Sequence, residues 1–235
     1  MAHKRRSEIQ SLIDLLRGKK PTLKKMMVNN VIIFPQKLKK SVSFNINGEN
    51  NRIEIDENVN VSDHLRVSIY GDNNFIKIES GARISSSRIS MGQKHPNFGK
   101  VTNSVFVFGE CSSVESLSYV TFNSNSKCII GKNCMFSFDI SIYNTDAHPI
   151  YDVNTNEIVN KVKEINIGNH CWIGAHTTIL KNTQIADDCI VGWSSVVAGK
   201  HLTPHCAIAG NPARKVREGI TWSPNGSNGY VQNIL

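Results

Sequence analysis

Asp146-Ala-His148-Pro149 sets a carboxylate two residues from an imidazole. A carboxylate so placed can fix the ring's tautomer and stabilise its charged form, which suits a general base working near neutral pH. The competing reading is an Asx-type turn carrying a surface histidine. The pair opens the stretch 144–164, which interrupts a repeat that runs on both sides of it. A loop of about twenty residues inside a compact repeat points to a binding loop or lid. His170 and His176, six apart, form a second pair to weigh, for zinc. No third histidine follows at a matching interval and the cysteines fall in core columns, so no metal is expected.

The element that must position these residues is the repeat itself. Ile167, Ile173, Ile179, Ile185, Val191 and Val197 recur every six residues. Four places after each of the first five stands a small residue: Cys171, Thr177, Thr183, Cys189 and Ser195. Neither a helix nor a lone strand has this period, and a fixed period repeated so often marks a solenoid. Six residues make one short strand of a triangular coil. The aliphatic residue points inward, and the small one fills the corner beside it, where a larger side chain would overpack. Stacked coils then pair in parallel and satisfy one another's backbone groups. The expected class is an all-β solenoid with a short N-terminal helical arm and a protruding loop.

The rest of the chain is less regular. Ser7 to Arg17 reads as a short helix, with Ser7 and Gln10 as a capping box and Ile9, Leu12, Ile13 and Leu16 as one stripe. Residues 1–27 are taken as a basic, partly helical arm, 28–213 as the solenoid domain and 214–235 as a polar tail. From Val42 the pattern turns to β. Ile46 to Ile55 and Ile69 to Ile78 repeat each other at an offset of 23, which is no multiple of six, so early coils that are irregular or carry short excursions are expected. Gly48 and Gly71 with the following Asn pairs suit corners of positive φ. Met91 to Ser104 lacks the period and reads as a loop, with Lys94 and His95 on its surface or facing a ligand.

The chain of 235 residues carries a net charge of +8. Residues 1–40 hold eleven Lys and Arg against Glu8 and Asp14, while the remainder is nearly neutral. No nucleic-acid partner is expected; an anionic polymer or a membrane surface could meet the basic arm. No apolar run is long enough to span a bilayer, and the first residues do not read as a signal peptide. Cytoplasmic residence, at the inner face of the membrane if the arm binds lipid, is the expectation. It agrees with cysteines used as small apolar residues rather than as a disulfide framework.

Three segments in order carry a resemblance. They are Asn144-Thr-Asp-Ala-His-Pro-Ile-Tyr-Asp152, Ile167-Gly-Asn-His-Cys-Trp-Ile-Gly174, and Ala209-Gly-Asn-Pro-Ala-Arg214 with Glu218-Gly-Ile-Thr-Trp222. Together they resemble the hexapeptide-repeat O-acetyltransferases, most strongly those of bacterial capsular polysaccharides such as polysialic acid. The likeness covers roughly residues 40–222 and implies a left-handed parallel β-helix. It further implies an acetyl-CoA-dependent O-acetyltransferase with a saccharide acceptor, and a homotrimer with sites between subunits. His148, with Asp146, matches the catalytic position; Trp172, Tyr151 and Asn144 fall on the substrate side. Ala175, Trp193, Ser194, Lys200, Arg214 and Arg217 fall where relatives contact coenzyme A. Trp193 is bulkier than the Ala or Ser usual there, and Gly199 takes the place of the usual lysine, with Lys200 following. Sugar or drug acetyltransferases share these motifs. A γ-type carbonic anhydrase and a non-enzymatic scaffold are the other readings, the first separable by metal analysis and the second by its lack of acetyl transfer.

Overall fold

The computed structural model describes residues 22–27, 29–95 and 97–225, and over them the chain is a left-handed parallel β-helix. The expected helix Ser7 to Arg17 lies outside the described residues. Three sheets of nine, eight and eight strands form the walls of a triangular prism. In a typical coil the chain passes from wall 1 (Lys127–Ile130) to wall 2 (Met135–Phe136) to wall 3 (Ile140–Tyr143) and back to wall 1 (Glu164–Ile167). Each strand pairs in parallel with its equivalent in the next coil, as Lys127–Ile130 does with Glu164–Ile167. Among the described residues no helix is long and apolar enough to cross a membrane.

The six-residue column is the core. Ile167, Ile173, Ile179, Ile185, Val191 and Val197 are all buried, and so are Cys171, Thr177, Thr183, Cys189 and Ser195 beside them. The corners follow the same period: His170, His176, Asn182, Asp188 and Ser194 all have positive φ, between 51° and 63°. Each small residue comes directly after such a corner. Coils also approach too closely at some positions for any side chain. A Cβ at Gly131 would lie 2.6 Å from the carbonyl oxygen of Gly168 in the next coil.

The early coils are longer than eighteen residues and of unequal length, as coils carrying excursions must be: Val31 pairs with Arg52, and Phe75 with Val105. Arg52 pairs with Phe75, and Val105 with Lys127. The extra residues sit at the corner between walls 3 and 1, where a buried amide ladder holds them. Asn30 Oδ1 accepts the Asn51 N–H at 2.7 Å, and Asn51 Oδ1 accepts the Asn74 N–H at 3.0 Å. The ladder continues into Ser104, whose N–H donates to Asn74 Oδ1 at 3.0 Å. Corners of this kind carry the extra residues, so successive coils need not share one length.

Both ends differ from expectation. Thr22–Met27, expected as part of the arm, is a strand antiparallel to Asn30–Pro35. At the other end Ala213–Glu218, expected as tail, folds back antiparallel on Cys206–Gly210 through a turn at Asn211-Pro212. Beyond it Trp222 is buried, donating its indole N–H to the His170 carbonyl at 2.7 Å and stacking on the His170 ring at 4.6 Å.

The cysteines are free. Cys128, Cys134, Cys171, Cys189 and Cys206 are buried and Cys111 is exposed. Burial pushes the Cys128 thiol up and, with the neighbouring Cys206, that of Cys189 to about 12. Reactivity needs the thiolate. A thiol reagent added to the native protein should therefore label exposed Cys111 quickly, and Cys128, Cys171 and Cys189 only after unfolding. Fast labelling of Cys171 or Cys189, followed by peptide mass analysis, would contradict their packing role.

Candidate active site

The stretch 144–163 leaves the prism at the corner between walls 3 and 1. It is a folded finger: Tyr151 and Ile158 form an antiparallel bridge, and the Val159 N–H donates to the Ile150 carbonyl at 2.9 Å. At its tip the Asp152 carboxylate accepts the N–H groups of Thr155 and Asn154, which hold it below the usual carboxylate range. The finger exposes Ile150, Tyr151, Val153 and Val159, with Val153 at 95%.

His148 is exposed at the root of this finger, one residue after Ala147, whose φ is 64°. That left-handed residue is supported by Thr145, whose hydroxyl oxygen accepts the Ala147 N–H at 2.9 Å. The histidine's backbone is clamped by Asn160. The Asn160 amide donates to the His148 carbonyl at 2.9 Å and to Asp146 Oδ2 at 2.8 Å, and its oxygen accepts the Ile150 N–H at 2.9 Å. Lys181 Nζ reaches Asp146 Oδ2 at 3.0 Å and the Asn160 carbonyl at 3.3 Å. The expected contact between the Asp146 carboxylate and the His148 ring is absent: the lysine and the amide take the carboxylate. Asp146 thus fixes the loop and not the tautomer.

The imidazole faces an aromatic wall instead. Its centroid is 5.9 Å from the Phe98 ring, which stacks on Phe122 at 4.4 Å and 15°. A cavity of about 430 Å³ opens at His148, lined also by Asn125, Pro149, Ile158 and Lys161. Asn144, expected on the substrate side, does not line it. It is fully buried, with Nδ2 donating to the Lys127 carbonyl at 2.9 Å and its own carbonyl accepting from Thr121 Oγ1 at 3.1 Å. It braces the root of the loop through these two bonds, while its buried Oδ1 has no partner among the described residues. Tyr151 lies out on the finger, half-exposed.

The remaining residues singled out in the sequence stand elsewhere on the prism. Lys200 is exposed on wall 1 and, with Lys127, Lys163 and Asn125, lines a groove of about 550 Å³. Asn125 also lines the His148 cavity. Trp172 begins the wall 2 strand Trp172–Ile173, with the Trp222 ring 6.1 Å away. Ala175, Trp193 and Ser194 share the corner between walls 2 and 3, where the buried Ala175 gives its carbonyl to the Ser194 N–H at 2.9 Å. Trp193 is 63% exposed there, edge-on to Phe138 at 5.7 Å. Arg214 and Arg217 are exposed on the returning strand Ala213–Glu218. One chain therefore does not bring His148 together with Trp172, Ala175, Trp193 or the arginines. His170 and His176 do not share a site either, because six residues advance the chain by a full wall. His170 Nδ1 lies 2.7 Å from Asp188 Oδ1, and His176 Nδ1 lies 3.5 Å from Asp139 Oδ2.

The geometry can be set beside known proteins. A polysialic acid O-acetyltransferase of Neisseria meningitidis is 31% identical over 190 residues, 74% of this chain and 86% of that protein. The chain belongs to the hexapeptide-repeat O-acetyltransferases. It is an acyltransferase of that family, although no family model matches it. The galactoside O-acetyltransferase of Escherichia coli K12 is 29% identical over 129 residues, 47% of this chain and 62% of that enzyme. The crystallised polysialic acid O-acetyltransferase OatWY superposes with a TM-score of 0.58 at 27% identity, over 80% of this chain and 94% of that one. The structure of the acetyltransferase NeuO gives 0.70 at 24% identity, over 80% and 92%, and so shares the fold.

Asn160, Lys181, Phe98 and Phe122 were not marked by sequence spacing. The signal for Asn160 is faint: an amide inside an interruption, twelve residues from the histidine it holds. Asn160→Ala should lower kcat about 10-fold to 10²-fold, since a misplacement of about 1 Å can cost that much. The KM for acyl donor and the melting temperature should stay near wild type. Unchanged turnover would show that the clamp does not orient His148.

Proposed function

We propose that the protein transfers the acetyl group of acetyl-CoA to a hydroxyl of a bacterial surface saccharide. The acceptor we infer is an acidic capsular polysaccharide such as a sialic-acid-containing polymer. The observation that carries this reading is His148, clamped and exposed at a cavity, within the 190 residues that match a polysialic acid O-acetyltransferase. Acetyl-CoA supplies an acetyl group already activated as a thioester. His148 accepts the proton of the acceptor hydroxyl as its oxygen bonds to the acetyl carbon, and returns that proton to the departing sulfur. Hydroxyl and thioester become ester and thiol, and the imidazole ends as it began.

The donor's phosphates need cations, and Arg214 and Arg217 offer planar guanidinium groups for them. They stand on wall 2, apart from the His148 corner, and the finger beside His148 exposes apolar side chains. Both facts favour a site completed by a second copy of the chain, in a homotrimer. Trp172, Ala175, Trp193 and Ser194 would then belong to the copy that holds the donor. Lys200 borders the groove next to His148 and serves the copy that supplies the base.

His148→Ala should lower kcat by about 10²-fold or more, the usual loss of a general base, with acetyl-CoA affinity little changed. Near-normal turnover measured by thiol release would sink the assignment. Mixed with Arg214→Ala, the same variant should regain activity if the two residues serve one site from different copies. Reconstituted mixtures no more active than either variant would mean that each copy works alone.

The basic N-terminal segment carries a separate proposal: it raises the local concentration of a polyanionic acceptor. Deleting residues 1–21 spares the strand Thr22–Met27. The deletion should raise KM for an acidic polymer and leave kcat unchanged. The difference should fade as ionic strength rises well above ~0.15 M, where screening shortens the reach of charge. A KM independent of salt in the intact protein would rule out steering. Loss of binding to anionic vesicles with unchanged soluble kinetics would favour a membrane role instead.

A further inference from the structure

The outer face of wall 3 is laid out in rows by the register of its strands. One row runs Ser43, Arg66, Arg88, Ser118, Ser141; the next runs Asn45, Ser68, Ser90, Val120, Tyr143. Arg66 and Arg88 are directly opposite each other on paired strands. Like charges so placed repel and weaken a sheet. Among the described residues neither forms an ion pair, and both are exposed. Stability of the wall does not account for them.

Beside Arg88 the wall is hollowed into a cavity of about 520 Å³. Its lining includes Asn45, Ser68, Tyr70, Arg88, Lys94 and Phe122, and no carboxylate is among the residues that line it. The volume is that of a small-molecule site. The chemistry is two cations, amide and hydroxyl groups for hydrogen bonds, and two aromatic rings. A guanidinium and an ammonium fit a carboxylate, the amides and hydroxyls fit sugar hydroxyls, and the rings fit the apolar face of a pyranose. The cavity's position adds the second argument. Phe122 on its rim stacks on Phe98 at 4.4 Å, and Phe98 lies 5.9 Å from the His148 ring. A chain lying in the cavity therefore reaches the base along one continuous aromatic wall.

We propose that this cavity is an acceptor subsite for a carboxylate-bearing sugar residue. Arg88 and Lys94 take the carboxylate, and a neighbouring residue of the same polymer presents its hydroxyl to His148. The proposal rests on the reading of His148 as the base of a saccharide acetyltransferase. It explains why the loop bearing Lys94 and Phe98 leaves the same end of wall 3 as the His148 finger.

The test uses the full-length protein with sialic acid oligomers, and the same oligomers with their carboxyl groups reduced to alcohols. Thiol release gives the kinetics, and calorimetry gives binding. The wild type should prefer the acidic oligomer by about tenfold in KM, the effect of one well-made charged contact. Arg88→Gln and Lys94→Gln should each remove most of that preference. Both should leave kcat, KM for acetyl-CoA and the KM for the reduced oligomer within about twofold, because uniform binding is lost and chemistry is not. Arg88→Lys, which keeps the charge, should recover part of the preference and shows that the fold is intact. An unchanged KM for the acidic oligomer in both Gln variants overturns the subsite and leaves the acetyltransferase reading standing. Binding of the acidic oligomer that Arg88→Gln abolishes, without any transfer, supports the subsite and overturns that reading. Neither binding nor transfer overturns both.

Discussion

Each coil of the prism is held to the one beneath it by its corners. A residue in the left-handed region costs about 1–2 kcal/mol when it carries a side chain. In this chain that residue donates its N–H to a carbonyl in the preceding coil: His170 to Lys132 at 2.8 Å, His176 to Phe138 at 3.1 Å, Asp188 to Asn169 at 2.9 Å and Ser194 to Ala175 at 2.9 Å. The hydrogen bond offsets the strain, and the small inward residue that follows gives the turn room. Stacking, core packing and the flatness of the walls all depend on this repeated contact.

The same constraint decides where function can be placed. Wall strands are committed to partners above and below, so the chain lengthens at strand ends and corners. Both long interruptions, the one holding Phe98 and the one holding His148, leave from the ends of wall 3 strands; the first returns to wall 3 at Val101–Thr102 and the second to wall 1 at Glu164–Ile167. Leaving at one edge in nearby coils, they meet, and the tight corner carrying Phe122 lies between them. The His148 imidazole thus gains an aromatic neighbour from a segment fifty residues earlier. Its orientation comes from a clamped backbone: Asn160 holds the histidine's carbonyl while Lys181 neutralises the carboxylate two residues before it. The result is an imidazole with no ion partner among the described residues, open to the cavity beside it.

The far end of the molecule is closed by different means. The returning strand Ala213–Glu218 covers the last coil, and Trp222 pins it by stacking on His170 and bonding to its carbonyl. His170 is thereby used twice, as a left-handed corner and as a platform, with Asp188 holding its ring from the next coil. Trp222 also stands beside Trp172 and so shapes the wall 2 surface on which the arginines lie.

The sequence by itself determined the solenoid, its inward columns and the position of the interruptions. A period of six is a local property, and burial at every one of those positions follows from it. His148 was legible for the same reason, standing in a motif at a break in the period. What only the tertiary structure decided is which residues meet. Spacing put Asp146 beside the imidazole, but Lys181 from the next coil takes its carboxylate. The resemblance set Asn144 among the substrate residues, but in the structure it is buried at the loop's root. The 23-residue offset was legible, but not the amide ladder that fixes the corner, because its partners lie in different coils. Phe98, Phe122, Arg88 and Lys94 come near His148 only because coils stack in register, and no spacing along the chain encodes a contact made across coils.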